Sequence, residues 1–338
     1  MPTISIAMPA YNVGKYIKDA IESILAQTYT DWELIIADDC STDNTVAIIE
    51  EYTAKYNNII LIKRRQNSGG CRLPRFDAIL AAKGEFVCPI DSDDTIEIDY
   101  LYKLIKRQKE TNSDIVLGRM VFCDEQQRPK TGTIPRHSFD MSIIFTGKDA
   151  CERTIGEWEI ALNGLLAKTD LYKEYIRKAY NSTFNGNFFD EIDHRRILLC
   201  AKMISMTNAY YFYRQQPNSI MHSTSIKSYD ILSVNKILQE FIEKEFYNNT
   251  DITKKWLNNS LESTYRAQQR FYLCKREYTS DEKERITQKI KDSYNYLKKT
   301  SLKPQGWRNR ILFSSFTVFK MYTWNIVQLL KFKTQLKK

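Results

Sequence analysis

Over the first hundred residues, short apolar runs alternate with stretches in which apolar residues recur every three or four positions. Ile4 to Met8 reads as a strand stopped by Pro9, and Ile17, Ala20, Ile21, Ile24 and Leu25 share one face of a helix. Trp32 to Ala37 predicts a second strand, after which Ser41 or Thr42 is placed to cap a helix carrying Val46, Ile49 and Tyr52. Ile59 to Ile62 predicts a third strand, Asn67 to Gly70 a loop, Arg75 to Ala82 a helix and Phe86 to Ile90 a fourth strand. Apolar strands separated by amphipathic helices are the pattern of a parallel sheet with crossover helices. The expected fold class is therefore α/β, a Rossmann-like, mostly parallel sheet with flanking helices. From about residue 225 the period lengthens into helical stretches such as Ile231 to Glu245 and Trp256 to Lys275, with few Gly or Pro. The reading is a domain over 1–220 followed by a mostly helical region over 221–338.

Open parallel sheets bind ligands beyond the carboxyl ends of their strands. Two acidic groups fall there: Asp38 and Asp39 after the second strand, and Asp91, Asp93 and Asp94 after the fourth. Neither a dinucleotide glycine fingerprint nor a P-loop lysine motif occurs, so a nucleotide would have to be held in another way. Strand alternation would aim Asp91 and Asp93 to one side and Asp94 away. A pair of this kind suits Mg²⁺ or Mn²⁺, usually held by one or two carboxylates plus substrate phosphates. The plainer alternative is an acidic turn ahead of a helix near Ile96 to Leu104. Asp38 and Asp39 read as turn acids before the following helix or, alternatively, as acceptors for a base or sugar.

Charge changes the picture mainly at one end. Of the net +9, residues 301–338 contribute +8, with eight Lys or Arg and no acid, which leaves +1 for the rest. The excess points to local contact with an anionic surface and away from general nucleic-acid binding. Trp307 to Leu330 mixes aromatic and aliphatic residues between basic ends, and Lys320 interrupts it, which disfavours a spanning helix. It predicts either an amphipathic helix at a lipid interface or a helix against the core. The seven cysteines show no paired spacing, which suits a reducing compartment, and the first residues lack a secretory pattern, so the chain is expected inside the cell.

Taken together, Ile4 with Pro9, Ala10, Tyr11 and Asn12, then Ser23 to Thr28, then Asp38 to Asn44, then Lys83, Gly84 and Glu85 followed by Asp91 to Asp94, strongly resemble the opening of the family 2 glycosyltransferases. The resemblance covers about residues 3–220 and is most specific over the first hundred. It implies an A-type glycosyltransferase fold, a nucleotide-sugar donor such as a UDP-sugar, a divalent cation and inversion at the anomeric carbon. By the same resemblance Pro9 and Tyr11 would line the nucleoside pocket, Asp39 would contact the base, Asp91 would face the ribose or metal, Ser92 would belong to the nucleotide-sugar site, and Asp93 would be the preferred metal ligand. Asp94 falls within the same acidic motif. Arg75 stands where an arginine facing the diphosphate is common, although its loop is one residue longer and Phe76 replaces a common Asn. Asp190 and Glu191 match the acidic base motif in reversed order, which makes Glu191 the catalytic base and Asp190 its alternate. His222 would reach the metal or diphosphate, and Trp158, Asn163 and Lys168 fall where acceptors are often contacted.

The implied reaction is transfer from a UDP-sugar to a hydroxyl of a glycan or lipid-linked acceptor in bacterial surface polysaccharide synthesis, with peripheral membrane contact through 301–338. Two other classes compete. Asp91, Asp93 and Thr95 also fit an aspartate-nucleophile phosphatase pattern, but three strands precede them and Asp38 and Asp39 would be left without a task. A non-catalytic sugar- or lipid-binding scaffold on the same fold would need a disabled metal site or base, and the expected carboxylates are present.

Overall fold

The computed structural model describes residues 1–130, 140–155, 163–179, 188, 190–216, 225–299 and 303–335. The chain divides into two compact units, Met1–Pro217 and Asn218–Lys338.

The first unit runs β1 (Ile4–Ala10), α1 (Ile17–Leu25), β2 (Trp32–Asp38), α2 (Thr45–Thr53), β3 (Ile59–Lys63), α3 (Arg72–Ala81), β4 (Phe86–Pro89), β5 (Thr95–Ile96), α4 (Tyr100–Thr111), β6 (Ile115–Cys123), α5 (Gly147–Arg153), β7 (Leu166–Lys168), α6 (Thr169–Ala179), α7 (Asp190–Cys200) and β8 (Ile204–Arg214). Among the described residues these strands form one mixed sheet in the order β3-β2-β1-β4-β7-β6-β8-β5. The pairs β1–β2, β2–β3, β1–β4 and β6–β8 are parallel, whereas β7 runs antiparallel to β4 and β6, and β5 to β8. Every residue of β1 and β2 is buried, as expected of strands covered on both faces. Ile17, Ala20, Ile21 and Ile24 of α1 are buried at helical spacing on the core side.

Three local expectations change. The helix near Ile96 is displaced because Thr95 and Ile96 pair with Phe212 and Tyr211 of β8, and α4 starts only at Tyr100. Its partner is more than a hundred residues away, so local periodicity carried no sign of it. The helix expected from Arg75 begins one turn earlier, at Arg72. Neither Ser41 nor Thr42 caps α2: its N-cap is Asn44, and the Asp43 carboxylate accepts from the Thr45 N–H at 3.0 Å. Ser41 Oγ is instead engaged by the Asn12 N–H at 2.9 Å, while Asn12 Oδ1 accepts from the Thr42 N–H at 2.7 Å. These bonds lock together the turns that leave β1 and β2.

The Lys83–Gly84–Glu85 turn has a structural task at the opposite end of the strands. The Gly84 N–H donates to Ser5 Oγ at 2.8 Å, and a Cβ on Gly84 would lie 2.8 Å from the Ser5 nitrogen. Only glycine allows this approach of the turn to β1.

The second unit is helical: α8 (Ile231–Glu245), α9 (Thr250–Cys274), α10 (Ser280–Leu297), α11 (Trp307–Leu312) and α12 (Phe316–Gln335). Leu257, Leu261, Tyr265, Phe271, Ile286, Ile290, Tyr294 and Phe319 share its core. The basic tail thus forms two helices, and α12 buries Phe319, Thr323 and Val327 on one side. Among the described residues no helix is long and apolar enough to cross a membrane.

Candidate active site

The carboxyl ends of β1, β2 and β4 meet at one rim, as the parallel registers Ala10↔Asp38 and Ala7↔Pro89 require. Pro9 is buried within β1, and Tyr11, just beyond it, is 48% exposed. Asn12 and Cys40 both adopt left-handed backbone, with φ of 51° and 65°, at the turns that leave β1 and β2. Non-glycine residues in this conformation mark a rim whose shape is held by surrounding contacts.

Asp39 is buried, and its carboxylate is already engaged. It accepts from the Ser68 N–H at 2.9 and 3.0 Å and from Ser68 Oγ at 2.9 Å, and Arg64 Nε lies 3.0 Å away. It therefore fixes the loop beginning at Asn67 against β2. On its neighbour Asp38, Oδ2 accepts from the Ser41 N–H at 3.1 Å, whereas Oδ1 is buried without a partner.

Beyond β4 the chain turns at once, so Asp91 to Asp94 occupy a turn, closed by the Asp94 N–H on the Asp91 carbonyl at 3.2 Å. The strand alternation expected there does not apply, because β4 stops at Pro89. The three carboxylates nevertheless separate by role. Asp94 is buried and accepts from Tyr211 Oη and from the Arg214 N–H, each at 2.7 Å, which ties the turn to the end of β8. Asp91 accepts from Arg75 Nη2 at 2.7 Å and from Asn163 Nδ2 at 3.4 Å. Asp93 is half-buried, and its Oδ2 accepts from Gln216 Nε2 at 2.6 Å. Burial, reinforced by the Asp91 charge, pushes Asp93 up to about 6, against the pull of Arg214 and Arg75. Burial, with Asp93 and Asp91 adding to it, likewise holds Asp94 well above the usual carboxylate range. Ser92 is buried between them.

Arg214 and Arg72 had no assigned part in the sequence reading. Arg214 donates from Nε to the Asp93 carbonyl at 2.8 Å, from Nη1 to the Glu125 carbonyl at 2.6 Å and from Nη2 to Asp19 at 2.9 Å, with its guanidinium 4.8 Å from the Tyr16 ring centre. It fixes the backbone under Asp93. Arg72 and Arg75 lie one turn apart at the start of α3 and face different partners. Arg75 holds Asp91. Arg72 holds Asp193 of α7, at 2.7 and 3.2 Å, and Asp193 also accepts from Tyr175 Oη. Arg72, Asp193 and Tyr175 are all buried. The first turn of α3 is thus a strut between the acidic turn and the helix that carries Glu191.

Glu191 sits near the start of α7, and Arg195 Nη1 donates to its Oε2 at 2.8 Å. Arg195 Nη2 donates to the Thr154 carbonyl at 2.8 Å, anchoring the pair to the end of α5. Phe188, just before the helix, has a φ of 68°. His194 follows on the same helix. Burial pushes it down to about 4; the Arg75 and Arg195 charges act in the same sense, and Asp193 and Asp91 oppose them. The Asp190 side chain, Trp158 and His222 lie outside the described residues. Lys168 pairs with Asp114 at 2.8 Å.

Among the described residues no group of three or more His, Cys, Asp or Glu is arranged as a closed metal site. The donor chemistry fits Mg²⁺ or Mn²⁺ all the same: the Asp91 charge adds to the cost of ionising Asp93, and ions of this kind take one or two protein carboxylates and complete their shell with phosphate oxygens and water.

The family model described as Glycosyl transferase family 2 matches residues 5–192. The glycosyltransferase GlyG of Streptococcus pneumoniae is 28% identical over 255 residues, covering 71% of this chain and 79% of GlyG. A poly(ribitol-phosphate) beta-glucosyltransferase of Bacillus spizizenii is 34% identical over 217 residues, covering 62% of this chain and 32% of the relative, so the chain matches about a third of that protein's length. The crystal structure of Staphylococcus aureus TarS 1-349 in complex with UDP-GlcNAc superposes with a TM-score of 0.65 at 21% identity, covering 98% of this chain and 92% of that one. This likeness shows the shared fold, the A-type glycosyltransferase fold. With more than half of its length matched by the family model, the chain belongs to the family 2 glycosyltransferases.

Proposed function

We propose that this glycosyltransferase is an inverting, Mn²⁺- or Mg²⁺-dependent enzyme. It moves a sugar from a UDP-sugar to a hydroxyl of a glycan or lipid-linked acceptor in bacterial surface polysaccharide synthesis, on the cytoplasmic side of the cell membrane. The observation that carries the reading is the strut at the start of α3: Arg75 grips Asp91 of the acidic turn and Arg72 grips Asp193, two residues beyond Glu191. Relatives named for transfer of glucose or N-acetylglucosamine to poly(ribitol-phosphate), and a TarS structure holding UDP-GlcNAc, support the donor and acceptor classes.

In this reading Pro9 and Tyr11 line the nucleoside side of the rim. Asp39 contacts the base through lone pairs left by Ser68 and Arg64, and Ser92 and Asp91 face the ribose. Arg75, already beside Asp91, turns a charged N–H toward the diphosphate. Asp93 and Asp91 would hold the cation, which when bound neutralises charge on the departing diphosphate. Glu191, with Asp190 as alternate, takes the proton of the acceptor hydroxyl as that oxygen bonds to the anomeric carbon and the carbon–diphosphate bond breaks. One displacement inverts the centre and leaves UDP carrying the bonding pair.

The test is a screen of UDP-sugars with the purified chain for Mn²⁺-dependent release of UDP, followed by assignment of the product anomer by NMR. Cation-dependent turnover of one UDP-sugar with an inverted product is expected. Release from none of them, or a retained anomer, contradicts the proposal.

A further inference from the structure

The sequence left two alternatives for the basic tail, a lipid-facing helix or a helix against the core, and the structure shows a helix with two apolar sides. On one side of α12, Phe319, Thr323 and Val327 are buried, with the Phe316 and Phe319 rings 5.2 and 5.1 Å from that of Tyr294. On the other, Val318, Met321, Trp324 and Leu329 are 38%, 61%, 51% and 57% exposed. With Asn325 and Gln328 they follow the three- and four-residue spacing of one helix face. That face carries no charge, and Lys320 stands exposed at its edge. Neighbouring α11 adds Trp307, 71% exposed, and Ile311, 39% exposed, beside an exposed Arg310. Apolar residues set singly on a surface are ordinary; a row of four on one helix, with a tryptophan among them, marks an interaction site.

We propose that the outer face of α12, with Trp307 and Ile311 of α11, docks on an anionic lipid surface. Charge selects this occupant. Residues 301–338 hold eight basic residues and no acidic one, so a second copy docked on the uncharged face would bring the basic residues that flank it, Lys320 among them, against their like. Anionic headgroups complement the lysines and arginines, and the acyl boundary takes Met321, Trp324, Val318 and Leu329 out of water. The helix meets the requirement of an interfacial element, apolar on the face it presents and unable to span. The inference deepens the placement at a membrane proposed above and rests on that placement, independently of any step in sugar transfer.

The test is co-flotation of the full chain with vesicles of phosphatidylglycerol and phosphatidylcholine in equal parts, and with vesicles of phosphatidylcholine alone, while UDP-sugar turnover is followed in the same samples. Binding to the anionic vesicles is expected, weakening in raised salt. Lys320→Gln and Arg310→Gln should each lower partitioning by about fivefold. Met321→Glu combined with Trp324→Glu should lower it by about tenfold or more while turnover of soluble donor stays unchanged, since both side chains are exposed. Equal flotation of the double variant and the wild type, or no flotation of the wild type, overturns the proposal. So does a wild type that self-associates in light scattering and becomes monomeric in the double variant, because the face would then join copies of the chain. Loss of turnover with flotation intact would instead count against the catalytic reading alone.

Discussion

The acidic turn at residues 91–94 and the helix α7 are both tied to the first turn of α3, through Arg75 and Arg72, and they treat their carboxylates differently. On α7 each described carboxylate has a cation from its own chain: Asp193 has Arg72 and Glu191 has Arg195. In the turn, Asp91 has Arg75, but Asp93 has a neutral amide, Gln216, and Asp94 has a phenol and a backbone N–H. Burial and mutual repulsion therefore push Asp93 up to about 6. The difference separates a helix whose described carboxylates are each paired with a cation from a turn in which two of three carboxylates have only neutral partners. A helix neutralised from within holds its shape before substrate arrives, whereas a crowded acidic turn gains when a cation binds.

The contrast is tested most severely at Arg72. Arg72→Leu leaves the buried Asp193 carboxylate without its cation, and a loss of about 3–5 kcal/mol in denaturant unfolding is expected. Arg72→Leu combined with Asp193→Leu should recover most of that loss, because the buried charge goes with its partner. A single variant as stable as the wild type would mean that α7 is not neutralised from within.

His194 supplies the next largest effect. Its folded-state value of about 4 lies below the ordinary 6.5, so the unfolded chain binds the extra proton between those values. Its contribution to stability is complete above about pH 6.5 and is lost as the pH falls toward 4, a span of about 2–3 kcal/mol. Asp93 titrates in the opposite sense over part of that window, so the informative quantity is wild type minus His194→Leu, measured by unfolding from pH 7 to 4. A difference that stays flat with pH contradicts the buried neutral imidazole.

The smallest effect sharpens the acidic side. Ionised Asp93 is penalised in the ligand-free fold, so Asp93→Asn should raise the stability of the ligand-free protein by about 1–2 kcal/mol above pH 6. The gain should vanish as the pH falls to the ordinary carboxylate value near 3.8. A destabilised Asp93→Asn protein would show that the turn is satisfied as it stands.

The sequence revealed what is local. Strands β1 to β4, the acidic residues at their ends and the helix over Ile231–Glu245 follow from runs and periods of a few residues. It concealed what depends on distance along the chain. Arg72 and Asp193 stand 121 positions apart, Arg214 and Asp19 195, and β5 exists because β8 pairs with it. Nothing in the neighbourhood of Arg72 distinguishes it from a surface arginine. In the tail, composition identified an amphipathic segment, but the division into a buried row at Phe319, Thr323 and Val327 and an exposed row at Met321 and Trp324 depends on packing with the helical unit.

The central claim is a division of labour between the two acidic regions, and one paired measurement tests it most directly: UDP binding by calorimetry in the presence of Mn²⁺, together with turnover, for the wild type, Asp93→Ala and Glu191→Ala. Both substitutions should reduce turnover by about 10²-fold or more, and only Asp93→Ala should strongly weaken UDP binding. Equal weakening of UDP binding in the two variants, or unimpaired transfer by Glu191→Ala, would contradict it.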